Sequence, residues 1–205
     1  MNKNIKKWED FWQDKNNNFG VPTPFLLKFA QEHYIRNFTK KKKLTAVDVA
    51  SGDGRYSIPL ALMGFDVTLI EVASSGVERA KKNALKSNVD IKIEKAEFFE
   101  VCSEDRQYDV VFCSGFLEEV DKKLHKKVIN TLTEWTSSDG INVVKYCLEI
   151  SGRGKLVDEQ TICEIYKDKN WQILFEEEES GLHKSIANIK NENYIRAGTV
   201  ITKNS

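Results

Sequence analysis

Residues 44–71 read LTAVDVASGDGRYSIPLALMGFDVTLIE, and this stretch decides the fold. An apolar run over residues 44–49 ends in a loop of small residues, 50–54. A short helix is predicted over residues 57–63 and a second apolar strand over residues 66–70. This succession of strand, glycine loop, helix and strand is typical of a βαβ unit in a parallel sheet.

The glycine loop indicates a ligand site. Gly52 and Gly54 permit a sharp turn and a close approach of a ligand to the backbone, because glycine has no Cβ. The loop leads into a helix N-terminus, whose free N–H groups attract anionic or electron-rich ligand atoms. Glu71 ends the second strand, where a carboxylate can accept hydrogen bonds from both hydroxyls of a ribose. Ser57 occupies the third glycine position of the nicotinamide fingerprint, which disfavours a dehydrogenase.

The pattern resembles motif I of the class I S-adenosylmethionine-dependent methyltransferases, acid-x-Gly-x-Gly-x-Gly. Asp48 stands at the acid, and Ala50 replaces the first glycine, a small residue expected to cost little. The resemblance implies S-adenosylmethionine as cofactor, with Asp48 under its methionine moiety and Glu71 on its ribose. The cofactor-binding residues expected from this first part of the chain are Asp48, Ala50, Ser51, Gly52, Gly54, Arg55, Glu71 and Val72.

Composition restricts the class of protein. The chain has 205 residues, of which 40% are hydrophobic, enough for one domain with a core. Its 31 basic and 31 acidic residues balance, which removes the simplest argument for nucleic-acid binding. No apolar stretch has transmembrane length, and the first residues lack a signal-peptide core. Four cysteines without a Cys-x-x-Cys pair predict a reduced, cytoplasmic protein and no metal site.

The N-terminal segment is rich in aromatic residues at helical spacing, including Trp8, Phe11 and Trp12. Such a helix either packs on the core or covers a bound cofactor, excluding water from it. Small-molecule methyltransferases have similar Trp-x-x-x-Trp openings. We therefore predict a single domain over residues 1–205, in which residues 1–43 form a helical lid and residues 44–205 the Rossmann-like core.

The next strands bring further residues to the ligand edge of the sheet. A third strand, residues 90–94, leads to Glu97 and Phe98, which the methyltransferase resemblance assigns to the adenine. The apolar run 108–114 predicts a central strand buried on both faces. Its end, Ser114 and Gly115, is expected beside the glycine loop and joins the cofactor-binding set. The Asp/Asn-Pro-Pro-Tyr/Phe motif of nucleic-acid amino methyltransferases is absent here.

The remaining chain completes the sheet. A helix is predicted over residues 122–136, a turn over 138–140 and a fifth strand over 141–148. Another helix is expected over residues 158–167. The last two strands are predicted over 171–178 and 194–202. The expected fold is α/β: a Rossmann-like class I methyltransferase with seven mostly parallel strands, helices on both faces and a C-terminal antiparallel pair.

The C-terminal sequence resembles the tellurite-resistance TehB family of methyltransferases. The matching parts are NWQIL at residues 170–174, SGLHK at 180–184 and IRAGTVITK at 195–203. The resemblance implies that His183, Lys184 and Arg196 face the acceptor as catalytic residues. Lys184 stands where the family has arginine, and the two side chains are not equivalent in binding an oxyanion.

The function expected from these patterns is methyl transfer from S-adenosylmethionine to a small molecule, either a chalcogen oxyanion such as tellurite or selenite, or a thiol. N- or O-methylation of another metabolite shares every cofactor feature and remains an alternative. A third alternative is a domain that binds S-adenosylmethionine without catalysis. The expected partner is a small methyl acceptor, with neither nucleic acid nor membrane, and the expected assembly is a monomer or homodimer.

Overall fold

A computed structural model of the chain describes residues 3–37, 43–102, 105–150, 154–182 and 194–203. Its helices are α1 (Lys3–Gln13), α2 (Pro24–Asn37), α3 (Ser57–Leu62), α4 (Ser74–Lys86), α5 (Phe98–Val101), α6 (His125–Glu134) and α7 (Glu159–Asp168). Its strands are β1 (Thr45–Val49), β2 (Asp66–Glu71), β3 (Lys92–Lys95), β4 (Tyr108–Ser114), β5 (Thr136–Ile150), β6 (Gly154–Lys155), β7 (Gln172–Leu182) and β8 (Tyr194–Lys203).

The strands form one mixed sheet in the order β3-β2-β1-β4-β5-β8-β7, with β6 paired to β5. Strands β1 to β5 run parallel, while β8 lies antiparallel between β5 and β7. The predicted Rossmann-like fold with its C-terminal antiparallel pair is therefore confirmed. The short strand β6 was not predicted, and it makes the sheet eight-stranded within the described residues.

Successive side chains of the central strands point to opposite faces of the sheet, so apolar clusters form on both faces. Val47 and Val111 contribute to one apolar cluster with α5, α6 and α7. Ala46 and Phe112 contribute to a second cluster with α2 and α3. A strand buried on both sides needs such continuous apolar character, which explains the runs that predicted these strands. All four cysteines are buried and free.

Two sequence predictions need correction. The turn predicted at residues 138–140 lies inside β5, which begins at Thr136. Its pairing with β4 shifts register between Tyr108 and Val110, so an irregular segment of strand replaces the turn. The helix predicted from residue 122 begins at His125, preceded by a 3-10 turn, Lys122–Leu124, because Asp121 caps that turn through the N–H of Lys123.

Helix dimensions also bear on membrane spanning. Within the described part of the chain, no helix combines the length and the apolar character needed to cross a bilayer.

Candidate active site

A cavity of about 960 Å³ opens at the carboxyl ends of the parallel strands. This is where open α/β sheets bind ligands, and the volume is in the range of small-molecule sites, roughly 300–1,000 Å³. The glycine loop and the ends of β2 and β4 form its floor, and α1 covers it. The cavity is lined by eleven of the twelve residues predicted to bind cofactor, namely Asp48, Ala50, Ser51, Gly52, Arg55, Glu71, Val72, Glu97, Phe98, Ser114 and Gly115.

Gly54 is the twelfth, and its role is different. A Cβ at Gly54 would lie 3.4 Å from Leu69, 3.5 Å from Ile58 and 3.6 Å from Ala80. Its φ of +81° also favours glycine. The three distances are ordinary van der Waals contacts, so the backbone angle and not a lack of space favours glycine here, and Gly54 is not among the described residues that line the cavity.

Left-handed backbone angles shape the loop that forms the floor. Ala50 has a φ of 53° and Gly52 a φ of 59°. A side chain at such a φ costs about 1–2 kcal/mol, because Cβ approaches the following carbonyl oxygen. The expectation that alanine costs little at position 50 was therefore wrong.

Glu71 connects the glycine loop to α4. Its Oε2 accepts a hydrogen bond of 2.8 Å from the N–H of Gly52, and its Oε1 accepts one of 2.8 Å from the N–H of Ala73. Burial raises the pKa of Glu71, and these N–H groups act in the opposite direction. Each carboxylate oxygen has a second lone pair, so Glu71 can hold the loop and still accept a ribose hydroxyl.

Asp48 lies below the loop, at the end of β1. Its Oδ2 accepts a 2.6 Å hydrogen bond from the hydroxyl of Ser57, the first residue of α3. Burial raises the pKa of Asp48 to about 7, although the Ser57 hydroxyl counteracts this effect. The side chain thus couples β1 to α3 directly under the cavity.

Helix α1 is held over the cavity by contacts at both ends of the site. The carboxylate of Glu9 accepts hydrogen bonds from the backbone N–H groups of Ser74 and Ser75, the first residues of α4. Lys7 forms an ion pair with Glu119 beyond β4. Arg79 donates to the backbone carbonyl of Asn17 after α1. These contacts place the predicted lid segment across the site, and its function as a lid stays a prediction.

Of the three predicted catalytic residues, the structure describes Arg196. His183 and Lys184 lie outside the described residues. Arg196 lies on β8, where its guanidinium pairs with Glu149 and Glu178 on the neighbouring strands. Of the described part of β8, Ala197 lines the cavity and Arg196 does not. A catalytic role for the three stays a prediction.

Residues beyond β4 form the wall that sequence reasoning missed. Glu118 lies in the 3-10 turn Leu117–Glu119 and lines the cavity, together with Lys145 and Cys147 of β5. The sequence did contain a signal for Glu118, because this residue closely follows the end of a buried parallel strand, where ligand sites form. Among the described residues, no cluster of three or more His, Cys, Asp or Glu side chains is arranged to hold a metal ion.

Comparison with known proteins gives the site its context. A family model described as Methyltransferase domain matches residues 40–191. The ubiquinone biosynthesis O-methyltransferase of Rickettsia prowazekii is 31% identical over 148 residues, 69% of this chain and 58% of the relative. That of Rickettsia akari is 34% identical over 128 residues, 58% of this chain and 49% of the relative. The chain thus spans about half the length of these curated relatives.

Solved structures share the fold. TehB from Haemophilus influenzae superposes with a TM-score of 0.73 and 19% identity, over 97% of this chain and 67% of that one. Magnesium protoporphyrin IX methyltransferase from Synechocystis, crystallised with S-adenosylmethionine, superposes with a TM-score of 0.66 and 15% identity, over 100% of this chain and 99% of that one. With the family model matching most of its length, the chain belongs to the class I S-adenosylmethionine-dependent methyltransferases.

Proposed function

We propose that this protein transfers a methyl group from S-adenosylmethionine to the oxygen of a small, largely apolar hydroxyl compound. The observation that carries the proposal is the continuity of one cavity from the glycine loop to an aromatic wall. That wall consists of Trp8, Phe11, Phe19, Phe99 and Phe116. Aromatic walls favour planar apolar ligands. The relatives named for O-methylation in ubiquinone biosynthesis support the same class of acceptor.

The floor of the cavity fits the cofactor. Glu71 offers free lone pairs for the ribose, and Ala96 and Phe98 offer an apolar surface for the adenine. Bound S-adenosylmethionine would supply a methyl group on a positively charged sulfur, so the leaving group is already activated. What remains for the protein is to align the acceptor oxygen with that methyl group and to exclude water. The cover that α1 provides serves the second purpose.

A chalcogen oxyanion or a thiol is the second candidate acceptor. It is supported by the likeness of residues 170–203 to the TehB family, which brings His183, Lys184 and Arg196 as oxyanion-binding candidates. A small, charged oxyanion would gain little from the aromatic wall, which favours planar apolar ligands. A domain that binds cofactor without turnover is the remaining alternative, and a monomer or homodimer is the assembly that we propose for each case.

A panel assay with isotopically labelled S-adenosylmethionine tests these proposals. Phenols and catechols with and without alkyl chains, low-molecular-weight thiols, tellurite and selenite serve as acceptors. We expect label on the hydroxyl compounds, with faster transfer to those carrying an alkyl chain. Transfer to tellurite, selenite or thiols alone would establish the second candidate. Cofactor binding by calorimetry without transfer to any acceptor would support the non-catalytic domain.

A variant control makes the assay specific. Gly52→Val places a side chain where the indole of Trp12 and the cofactor floor meet, so binding and transfer should both be lost. Alanine at His183 or Arg196 is expected to lower transfer while cofactor affinity stays within about threefold, since an acceptor contact affects turnover. Lys184→Arg should retain activity. Full transfer by both alanine variants would remove these residues from the acceptor site.

A further inference from the structure

Glu118 occupies a central position at the carboxyl edge of the sheet. It follows β4 by four residues and lines the same cavity as the glycine loop. Its Oε1 would lie 3.8 Å from a Cβ on Gly115, the residue that follows the strand. Its Oε2 is shielded from solvent and accepts no hydrogen bond from the described part of the chain. A buried acceptor atom without a partner carries a desolvation cost, which a proton on the carboxyl group offsets.

The turn that carries Glu118 is fixed on both sides. Leu117 is fully buried, and its carbonyl oxygen accepts a 2.8 Å hydrogen bond from Nε2 of the buried His125. Glu119 pairs with Lys7 of α1. The backbone N–H of Cys147 lies beside the carboxyl group of Glu118. The carboxyl is therefore held in one place between β4, β5 and α1, as a group acting on a bound acceptor must be.

The surroundings also set its proton affinity. Burial raises the pKa of Glu118 to about 7, against the effect of the backbone N–H groups of Glu118 itself and Cys147. A carboxylate with a pKa near the working pH is ionised in a large fraction of molecules and is a stronger base than an exposed one. Its neighbour Glu119 is already occupied by the ion pair with Lys7.

We propose that Glu118 is the catalytic base that removes the proton from the hydroxyl group of the acceptor. This inference rests on the proposed O-methyl transfer. As the new bond forms between the acceptor oxygen and the methyl carbon, the bond between carbon and sulfur breaks and its electron pair stays on sulfur. The acceptor's O–H proton passes to the carboxylate of Glu118. The products are the methyl ether, S-adenosylhomocysteine and protonated Glu118, which returns its proton to water after product release.

The first test compares acceptors that need a base to different extents. Glu118→Gln keeps the shape of the side chain and removes its basicity. We expect transfer to a phenol with a pKa of about 10 to fall at least 100-fold, the lower end for removing a general base. Transfer to a nitrophenol that is already ionised at neutral pH should fall less than fivefold. Cofactor affinity should stay within about threefold. Glu134→Gln, which changes an exposed glutamate of α6, is the matched control.

The second test begins with a measurement that requires neither cofactor nor acceptor. Infrared difference spectroscopy of the protein alone, parent minus Glu118→Gln, should show one carboxyl band that titrates near pH 7, well above exposed glutamates at about 4.3. The pH profile of kcat/KM on the phenol should rise through the same pH in the parent and lose this rise in the variant. A midpoint near 4.3, or equal losses on both phenols, would overturn the assignment of the base.

The outcomes separate the two proposals. A parent enzyme that methylates phenols, together with an equally active Glu118→Gln variant, would overturn the base and leave the proposed function standing. A parent enzyme that methylates no hydroxyl compound but does methylate a thiol would overturn the proposed function, and the base with it.

Discussion

The indole of Trp12 lies directly on the backbone of Gly52. A Cβ built on Gly52 would be 2.3 Å from Cζ2 of that ring. The ring is also held edge-on by Phe11 and Phe19, with centroid distances of 4.9 and 5.6 Å, and the guanidinium of Arg79 lies 5.4 Å from it. Because Gly52 has no side chain, Trp12 of α1 can pack against its backbone.

Gly52→Ala should lower the free energy of unfolding by about 2–3 kcal/mol. About 1–2 kcal/mol comes from a side chain at a φ of 59°, and the rest from displacing Trp12. Gly154→Ala is the matched control, because Gly154 has a φ of 72° and no atom within 4 Å of its Cβ position. Denaturant unfolding of both variants measures the difference. Equal losses would mean that Trp12 moves aside without cost.

Ala50→Gly should stabilise the protein by about 0.5–1 kcal/mol. The substitution relieves the strain of a left-handed φ of 53°. The free energy gained exceeds the cost that arises because glycine has the larger conformational entropy in the unfolded chain. Ala73→Gly provides the contrast, since Ala73 has an ordinary φ of −80° and should lose about 1 kcal/mol. Thermal and denaturant unfolding give the sign. A stability loss in Ala50→Gly would show that the loop does not strain this residue.

Glu71→Gln should weaken S-adenosylhomocysteine binding by about 1–3 kcal/mol, the range for losing a charged hydrogen-bond partner. Part of that loss reflects the N–H groups of Gly52 and Ala73, which Glu71 holds in place. A 2′-deoxy analogue separates the two effects by calorimetry. The parent should prefer the ribose form, and Glu71→Gln should lose most of this preference. An unchanged preference would place the ribose contact on another residue.

Glu9→Gln should loosen α1 without unfolding the core. Burial raises the pKa of Glu9, but hydrogen bonds from Ser75 and Ser74 outweigh it, so its pKa is lowered. A lowered pKa means that the contact stabilises the fold at neutral pH and is lost as acid protonates the folded carboxylate. Loss of this helix-capping contact should cost about 0.5–2 kcal/mol. Hydrogen exchange should quicken in α1 while β1 and β4 stay protected.

Asp10→Asn is the control for that experiment, because it removes an exposed carboxylate from the same helix. Its exchange rates should match those of the parent protein. Similar acceleration in both variants would attribute the effect to the charge of α1 and not to the contact with α4.

The pH dependence of stability offers a test of the buried carboxyl groups. The pKa of Glu118 rises from an ordinary 4.5 to about 7 on folding. Between these values the unfolded chain releases a proton that the folded protein keeps, so the stability of the parent falls as pH rises. Glu118→Gln lacks this contribution. The difference in unfolding free energy, variant minus parent, should therefore increase by about 1–3 kcal/mol from pH 4.5 to 7. A difference independent of pH would mean an ordinary pKa.

The glycine loop, Glu71 and the end of β4 were predictable because each is encoded within a few residues of an apolar strand. Parallel strands then bring these ends together, whatever the rest of the chain does. The contacts of Glu9 with Ser75 and of Trp12 with Gly52 were not predictable in the same way. They join residues 66 and 40 positions apart, and helical spacing alone does not specify which surface a helix covers.

Local signals also failed where tertiary pairing outweighed them. Residues 138–140, Ser-Asp-Gly, are a typical turn sequence, yet pairing with β4 draws them into β5. Gly54 has the sequence position of a ligand contact, but it does not line the cavity, and its positive φ accounts for the glycine.

The buried thiols make this protein a convenient object for spectroscopy. All four cysteines are buried, and burial raises the pKa of Cys163 to about 12 and also raises that of Cys113. Since the thiolate is the reactive form, Cys113 and Cys163 should react slowly with maleimide reagents at neutral pH. An Asp10→Cys substitution, combined with Cys147→Ala because Cys147 lines the cavity, would then carry a fluorophore on α1 with little background labelling. The fluorescence of that label would then test whether the helix moves over the glycine loop when cofactor binds.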